Sequence, residues 1–202
     1  TMEATDVQPS RLTRAKQKIR DLLKLRKGAA TGLIVYSGSA HLVMPPTRDD
    51  RIINTMLEDL TPALMPANGD NIEQALQLSR QLFEKSGQPG SLLVIADTVS
   101  GTKSLVSQEE DIKLPVQFLA VQPPSADINK GLQKAASKLG AKIIRMRVDA
   151  IDVETIAKNA ANDFTSAGIS DQGERWHDSG YAFLPIIALC ILVWFRKGWV
   201  LS

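Results

Sequence analysis

Ser91-Leu-Leu-Val-Ile-Ala-Asp97 is the stretch that decides the fold. Five apolar residues run without a polar break, after Gly90 and before a carboxylate at Asp97. A strand without polar alternation has both faces covered, and such strands belong to parallel sheets sandwiched between helices. Two runs of similar character follow, Val116-Gln-Phe-Leu-Ala-Val121 and Lys142-Ile-Ile-Arg-Met146. Helical spacing from about Ile128 to Lys138 separates them, and a last helix is expected from about Val153 to Phe164. Strands alternating with helices predict an α/β domain with a mostly parallel, doubly wound sheet.

Upstream, Ser10 is placed to cap a helix over Arg11 to about Leu25, with Leu12, Ala15, Ile19, Leu22 and Leu23 on one face and Gly28 ending it. Gly32-Leu-Ile-Val-Tyr36 and Ala40-His-Leu-Val-Met44 then read as a hairpin about Ser37-Gly38-Ser39, adding one antiparallel edge strand to the sheet. Helices are predicted from Asp49 to Leu60, with Ile52, Ile53, Met56 and Leu57 inward, and from Asn71 to about Lys85, with Asp70 as a natural N-cap. The first strand of a doubly wound sheet is usually central. Here Thr1 to Ser10 lead straight into a helix, so the sheet is expected to lack its first central strand. Since Thr1 is no initiator Met, a fragment or processed chain is the expectation.

The chain has 202 residues, 24 Lys and Arg against 22 Asp and Glu, and one cysteine. The formal excess of +2 is Arg196 and Lys197, which close the apolar run Tyr181-Ala-Phe-Leu-Pro-Ile-Ile-Ala-Leu-Cys-Ile-Leu-Val-Trp-Phe195. A spanning helix needs about 20 mostly apolar residues, with roughly 17 as the lower end. The run is shorter, but Ser179 and Gly180 carry no charge, Arg196 and Lys197 can snorkel, and Tyr181, Trp194 and Trp199 fit interfacial belts. A transmembrane helix is therefore expected. The cationic flank places the C-terminus in the cytoplasm and the preceding domain outside the inner membrane, in the periplasm of a bacterium. The expected organisation is a domain over 1–164, a juxtamembrane linker over 165–178, and the membrane helix with a short cytoplasmic tail over 179–202. Cys190 lies within the apolar run, so the outer domain has no disulfide.

Several stretches together resemble one family. Ala4-Thr-Asp-Val-Gln-Pro-Ser-Arg-Leu12 leads into Ala15-Lys16, and Gly32-Leu-Ile-Val-Tyr-Ser-Gly-Ser-Ala-His41 is followed by Met44-Pro-Pro-Thr-Arg-Asp49. Met65-Pro66, Gly69, Trp176-His-Asp-Ser-Gly180 and Phe195-Arg-Lys-Gly-Trp199 complete the set. The chain resembles the membrane-anchored von Willebrand factor type A proteins of the Bat (aerotolerance) group. The resemblance implies a Rossmann-like domain with a metal-ion-dependent adhesion site at the carboxyl ends of its strands. The family pattern is Asp-x-Ser-x-Ser/Thr after the first strand, Thr or Ser in a second loop, and Asp after the fourth strand. Carried over, Thr1 is the closing hydroxyl of the first motif, Asp70 stands where Thr or Ser is usual, and Asp97 is the strand-end carboxylate. These are hard oxygen ligands suited to Mg²⁺. The leading Asp and Ser are not in this sequence, and Asp70 departs from the pattern.

What the resemblance implies about function is a non-enzymatic interaction module working with other such membrane proteins and a MoxR-type AAA ATPase, in envelope assembly or stress tolerance. An alternative of another class is a membrane-tethered, metal-dependent α/β hydrolase or phosphatase using Asp70 and Asp97. Against it, Ser37 and Ser39 are not in a Gly-x-Ser-x-Gly elbow, and no phosphate-binding glycine motif follows a strand. His41 and His177 lack companions for zinc. The first helix carries Arg11, Arg14, Lys16, Lys18, Arg20, Lys24, Arg26 and Lys27. These read as a solvated cationic face rather than a nucleic-acid site, because the chain apart from the tail is neutral and no nucleic-acid motif accompanies them.

Overall fold

In a computed structural model, residues 2–87, 90–100 and 114–166 are described. The chain divides into two compact units, residues 1–169 and 170–202, and the described residues lie in the first. The expected membrane helix and linker fall outside the described residues, as does Thr1. Among the described residues no helix is long and apolar enough to cross a membrane.

Among the described residues, five strands and five α-helices form in the order α1 (Arg11–Leu25), β1 (Thr31–Tyr36), β2 (Ala40–Thr47), α2 (Asp50–Asp59), α3 (Ile72–Ser86), β3 (Leu92–Ala96), β4 (Val116–Ala120), α4 (Lys130–Lys138), β5 (Lys142–Arg145) and α5 (Ile151–Ser166). Local chemistry sets the helix starts. Ser10 Oγ accepts from Thr13 N–H at 3.1 Å, Asp49 caps α2 through Arg51 N–H at 3.0 Å, and Asn129 caps α4 through Gly131 N–H at 2.8 Å. Each satisfies a donor that the first helical turn leaves without a partner.

Strands β3, β4 and β5 are parallel and adjacent in that order, with Val94 opposite Phe118 and Phe118 opposite Ile143. Their residues sort by alternation, as the period of two requires. Val94, Ala96, Phe118 and Ala120 pack with Ile72 and Leu76 of α3 and with Leu132, Ala135 and Ala136 of α4. Leu93, Ile95, Leu119 and Val121 turn to the other face, against Ala15 of α1 and Ile156 of α5. Helices thus cover both faces, as the apolar strands require.

The hairpin forms as expected but belongs to a separate sheet. β1 and β2 pair antiparallel, Val35 opposite His41 and Tyr36 opposite Ala40, and no ladder joins β1 to β3. The single sheet read from the sequence is corrected to a two-stranded and a three-stranded one, because β1 and β3 each have a strand partner on one side only. Burial reflects this. Every residue of β4 after Val116 is buried, whereas β3 is only partly so. The same helices serve both sheets: α1 sends Ala15 to the parallel sheet and Leu23 to a cluster with Ile53, Leu57, Leu33 and Met44.

Two packing expectations change. Ile52 is 43% exposed and Met56 only half-buried, so the apolar face of α2 rests chiefly on Ile53 and Leu57, both fully buried. The cations of α1 are also not simply a solvated face. Lys18 is 5% exposed and donates to Asp152 Oδ1 at 2.7 Å and to the Asp149 carbonyl at 2.5 Å. Lys16 donates to the Glu58 carbonyl, and Arg20 pairs with Glu58. Much of the positive charge fastens α1 to α2 and α5.

Candidate functional site

Three loops meet where β1 and β3 end. The first is the Ser37–Ser39 turn, the second runs from Ala67 to Asn71 into α3, and the third is Asp97–Ser100 after β3. Backbone contact fuses the first two. Gly38 N–H donates to the Ala67 carbonyl at 2.9 Å, Asn71 N–H to the Ser37 carbonyl at 2.6 Å, and Ser37 Oγ to the Gly69 carbonyl at 3.3 Å. A Cβ on Gly38 would stand 2.7 Å from Asn68 O, and one on Gly69 2.9 Å from Gly38 Cα. The two glycines therefore permit a closeness that a side chain would prevent.

The third loop joins through Asp70, whose Oδ2 accepts Ser100 N–H at 2.5 Å. Its reading as the α3 cap is corrected: Asn71 Oδ1 takes that role, accepting Gln74 N–H at 3.1 Å. The shift of one residue frees the Asp70 carboxylate to tie α3 to the loop after β3. An open cleft of about 320 Å³ lies over the junction, lined by Gly38, Gly69, Asp70, Asn71, Glu73 and Ser100.

Asp97 sits at the end of β3 as expected, with its side chain 6% exposed. Its carboxylate does not simply cap the following loop. Arg11 Nη1 donates to Asp97 Oδ2 at 2.8 Å, while Nε and Nη2 of the same guanidinium grip both oxygens of Asp6 at 2.9 and 2.6 Å. Thr98 Oγ1 adds a contact at 3.3 Å, and the Asp97 carbonyl accepts Gln122 Nε2 at 2.5 Å. The other amide atom, Gln122 Oε1, is buried and has no hydrogen-bond partner among the described residues.

The two carboxylates and Tyr36 share one electrostatic environment. Burial raises the Asp70 carboxyl above its ordinary range, opposed by the Ser100 hydrogen bonds and reinforced by the Asp97 charge. Burial also raises the Tyr36 phenol, with Asp70 and Asp97 pushing the same way. An acid raised in the fold binds protons there that the unfolded chain has released. Its favourable contribution is full below the ordinary carboxylate range and is lost as pH rises through the folded value. Asp70→Asn, whose amide oxygen can still accept from Ser100, should therefore melt higher than the parent at neutral pH. The gain should vanish in acid below the ordinary carboxylate range, as thermal unfolding across pH would show.

Of the three residues expected to hold a metal, the structure brings Asp70 and Asp97 to one neighbourhood. Among the described residues no cluster of three or more His, Cys, Asp or Glu stands ready for an ion. Hard oxygen donors are the right chemistry for Mg²⁺. The charge is not available: Asp97 is neutralised by Arg11, and Asp70 is engaged by Ser100. As arranged, these residues do not fit a divalent ion. Nothing local in the sequence marks Arg11 for this role, because its partner lies 86 positions away.

Residues 1–100 match the von Willebrand factor type A domain family. That stretch of the chain carries a domain of this family. Two solved structures agree in fold. A conserved hypothetical protein, BatB, of Bacteroides thetaiotaomicron superposes with a TM-score of 0.66 at 22% identity, covering 84% of this chain and 94% of that one. An aerotolerance-related membrane protein of Bacteroides fragilis gives 0.62 at 24% identity, covering 82% and 93%. These neighbours accord with the Bat-type resemblance of the motifs. By sequence, a UPF0353 protein of Nocardia farcinica is 25% identical over 89% of this chain and 58% of its own length. A UPF0353 protein of Mycolicibacterium gilvum is 37% identical over 38% of this chain and 23% of its own. The chain thus spans 58% and 23% of the length of these two curated relatives.

Proposed function

We propose that this von Willebrand factor A domain is a non-enzymatic interaction module, and that it binds partners through the strand-end face of the Ser37–Ser39, Ala67–Asn71 and Asp97–Ser100 loops. The observation that carries this reading is the way these loops are built. Backbone contacts at Gly38 and Gly69 and the Asp70–Ser100 hydrogen bond hold a preformed surface. A surface ordered before binding loses little entropy on association. Open α/β sheets also place their ligands at the carboxyl ends of strands.

The setting follows from the apolar run at 181–195, from its cationic flank, and from a structural neighbour described as a membrane protein. A single inner-membrane span holds the domain in the periplasm with its C-terminus in the cytoplasm. The partners proposed are other membrane proteins with this domain and a MoxR-type AAA ATPase, with an aerotolerance or stress role. A further strand between the unpaired edges of β1 and β3 would complete the sheet, since α1 covers both sheets. Mg²⁺ held by Asp70 and Asp97, with Thr1 as the third proposed ligand, belongs to this reading only if Arg11 leaves Asp97.

Capture of envelope proteins by the full chain from detergent-solubilised membranes tests the reading. A partner retained by the parent and lost with Asn68→Arg, in the middle of the face, is the expected result. Retention unchanged by Asn68→Arg would refute it. So would Mg²⁺-dependent ester or phosphoester turnover abolished by Asp97→Asn.

A further inference from the structure

We infer that Arg11 is the resident cation of the strand-end site, so that its hold on Asp97 and the binding of a divalent ion there exclude one another. The inference rests on the reading of this face as the working surface and concerns how it is controlled. A carboxylate as buried as Asp97 needs a counter-charge. The guanidinium supplies it at 2.8 Å, through a side chain that is itself only 16% exposed. An ion bound to the same oxygens would bring two positive groups into contact at low effective dielectric, where like charges repel strongly. Mg²⁺ also needs room for retained waters. One of the two cations must go.

Arg11 does not leave alone. Its other nitrogens are forked onto Asp6 at 2.9 and 2.6 Å, so the guanidinium binds the incoming segment to the end of β3. The same segment is fastened by the backbone: Arg11 N–H donates to the Ala4 carbonyl at 3.0 Å and Leu12 N–H to that of Met2 at 2.8 Å. Met2 and Val7 pack on the cluster of Ala15, Leu119, Val121, Met146 and Ile156. Residues 2–10 are a strap whose buckle is the Asp6–Arg11–Asp97 triad. With the buckle closed the face is free of metal, and withdrawal of Arg11 exposes Asp97 beside Asp70. Asp97, without its counter-ion, is then open to another cation.

The test is calorimetric titration of Mg²⁺ and Mn²⁺ into the full chain in detergent, with thermal unfolding in parallel. The parent should bind neither ion, and its melting temperature should not move in millimolar Mg²⁺. Arg11→Gln should melt lower without metal, regain part of the loss with Mg²⁺, and bind it more than about tenfold more tightly than the parent. Arg11→Gln/Asp97→Asn should lose that binding. Asp6→Asn, which loosens the buckle from the exposed side, should also strengthen binding and covers the case in which Arg11→Gln does not fold. Parent binding that depends on Asp97 and is unchanged by Asp6→Asn would overturn the inference, as would folded variants of both kinds that remain blind to metal. Partner capture with Asn68→Arg scores the surface without reference to metal, so failure of the switch and failure of the interaction reading are separable.

Discussion

Lys18→Met lowers the free energy of unfolding by about 3–5 kcal/mol, the usual cost of stranding a buried charge. Lys18 and Asp152 have side chains 5% and 0% exposed and meet at 2.7 Å between α1 and α5. Asp152 also accepts Arg147 N–H at 2.9 Å and Val153 N–H at 2.8 Å, so it organises the turn that starts α5. Removing the ammonium leaves a buried carboxylate with amide donors only. Removing the carboxylate by Asp152→Ala additionally frees those amides, so its effect should be at least as large. Lys18→Met/Asp152→Asn should recover much of the loss, because no charge then remains buried and the amide keeps an acceptor oxygen for the α5 turn. Denaturant unfolding of the parent, Lys18→Met, Asp152→Asn and Lys18→Met/Asp152→Asn gives the cycle. Near-additive losses would show that the pair acts as two independent surface charges. Exposed pairs such as Arg147–Asp149, with both partners roughly half exposed, should contribute far less, because solvent screens them.

Gly131→Ala should be the next most damaging substitution, at roughly 1–3 kcal/mol or more, the range of overpacked cores. Gly131 lies in the first turn of α4, where alanine would ordinarily stabilise the helix by up to about 1 kcal/mol. A Cβ built there stands 1.8 Å from the Val99 carbonyl oxygen, far inside any allowed contact. Since the obstacle is backbone, either α4 or the loop after β3 must move. The clash outweighs the propensity gain. The loop neighbours Ser100, whose N–H reaches Asp70. A fall in melting temperature should therefore be accompanied by a shifted Ser100 amide resonance. Stabilisation, or loss of stability with Ser100 unmoved, would mean that α4 is not pressed on this loop.

The elements were legible in the sequence because local rules set them. The run Leu92–Ala96 formed a buried parallel strand, and Ser10 capped α1. Boundaries moved by a residue or two, as at α2, where Asp49 became the cap instead of the first helical residue. Less legible was which polar residue touches which. Asp70 and Asn71 are equally good caps by type, and only the placement of Ser100 shows which is free. Lys18 reads as solvated by its charge, yet it lies three residues after Ala15 and four before Leu22, on the apolar stripe by helical period. That spacing was the signal to weigh against its charge. Arg11 offered no such signal. Its bond to Asp97 joins the start of α1 to the end of β3, a contact that topology creates and spacing cannot announce. The split between the two sheets was equally hidden, since apolar patterning marks a strand without telling which neighbours pair with it.

Partners are proposed to engage the strand-end face. Photo-crosslinking in living cells, with a photoreactive residue placed in the full chain at Asn68 or at Glu84, tests it most directly. Both positions are exposed; Asn68 lies in the loop before α3, and Glu84 near the far end of that 15-residue helix. At a rise of about 1.5 Å per residue the two lie roughly 20 Å apart. A discrete adduct is expected from Asn68 and none from Glu84. Equal adducts from both, or an adduct from Glu84 alone, would contradict it.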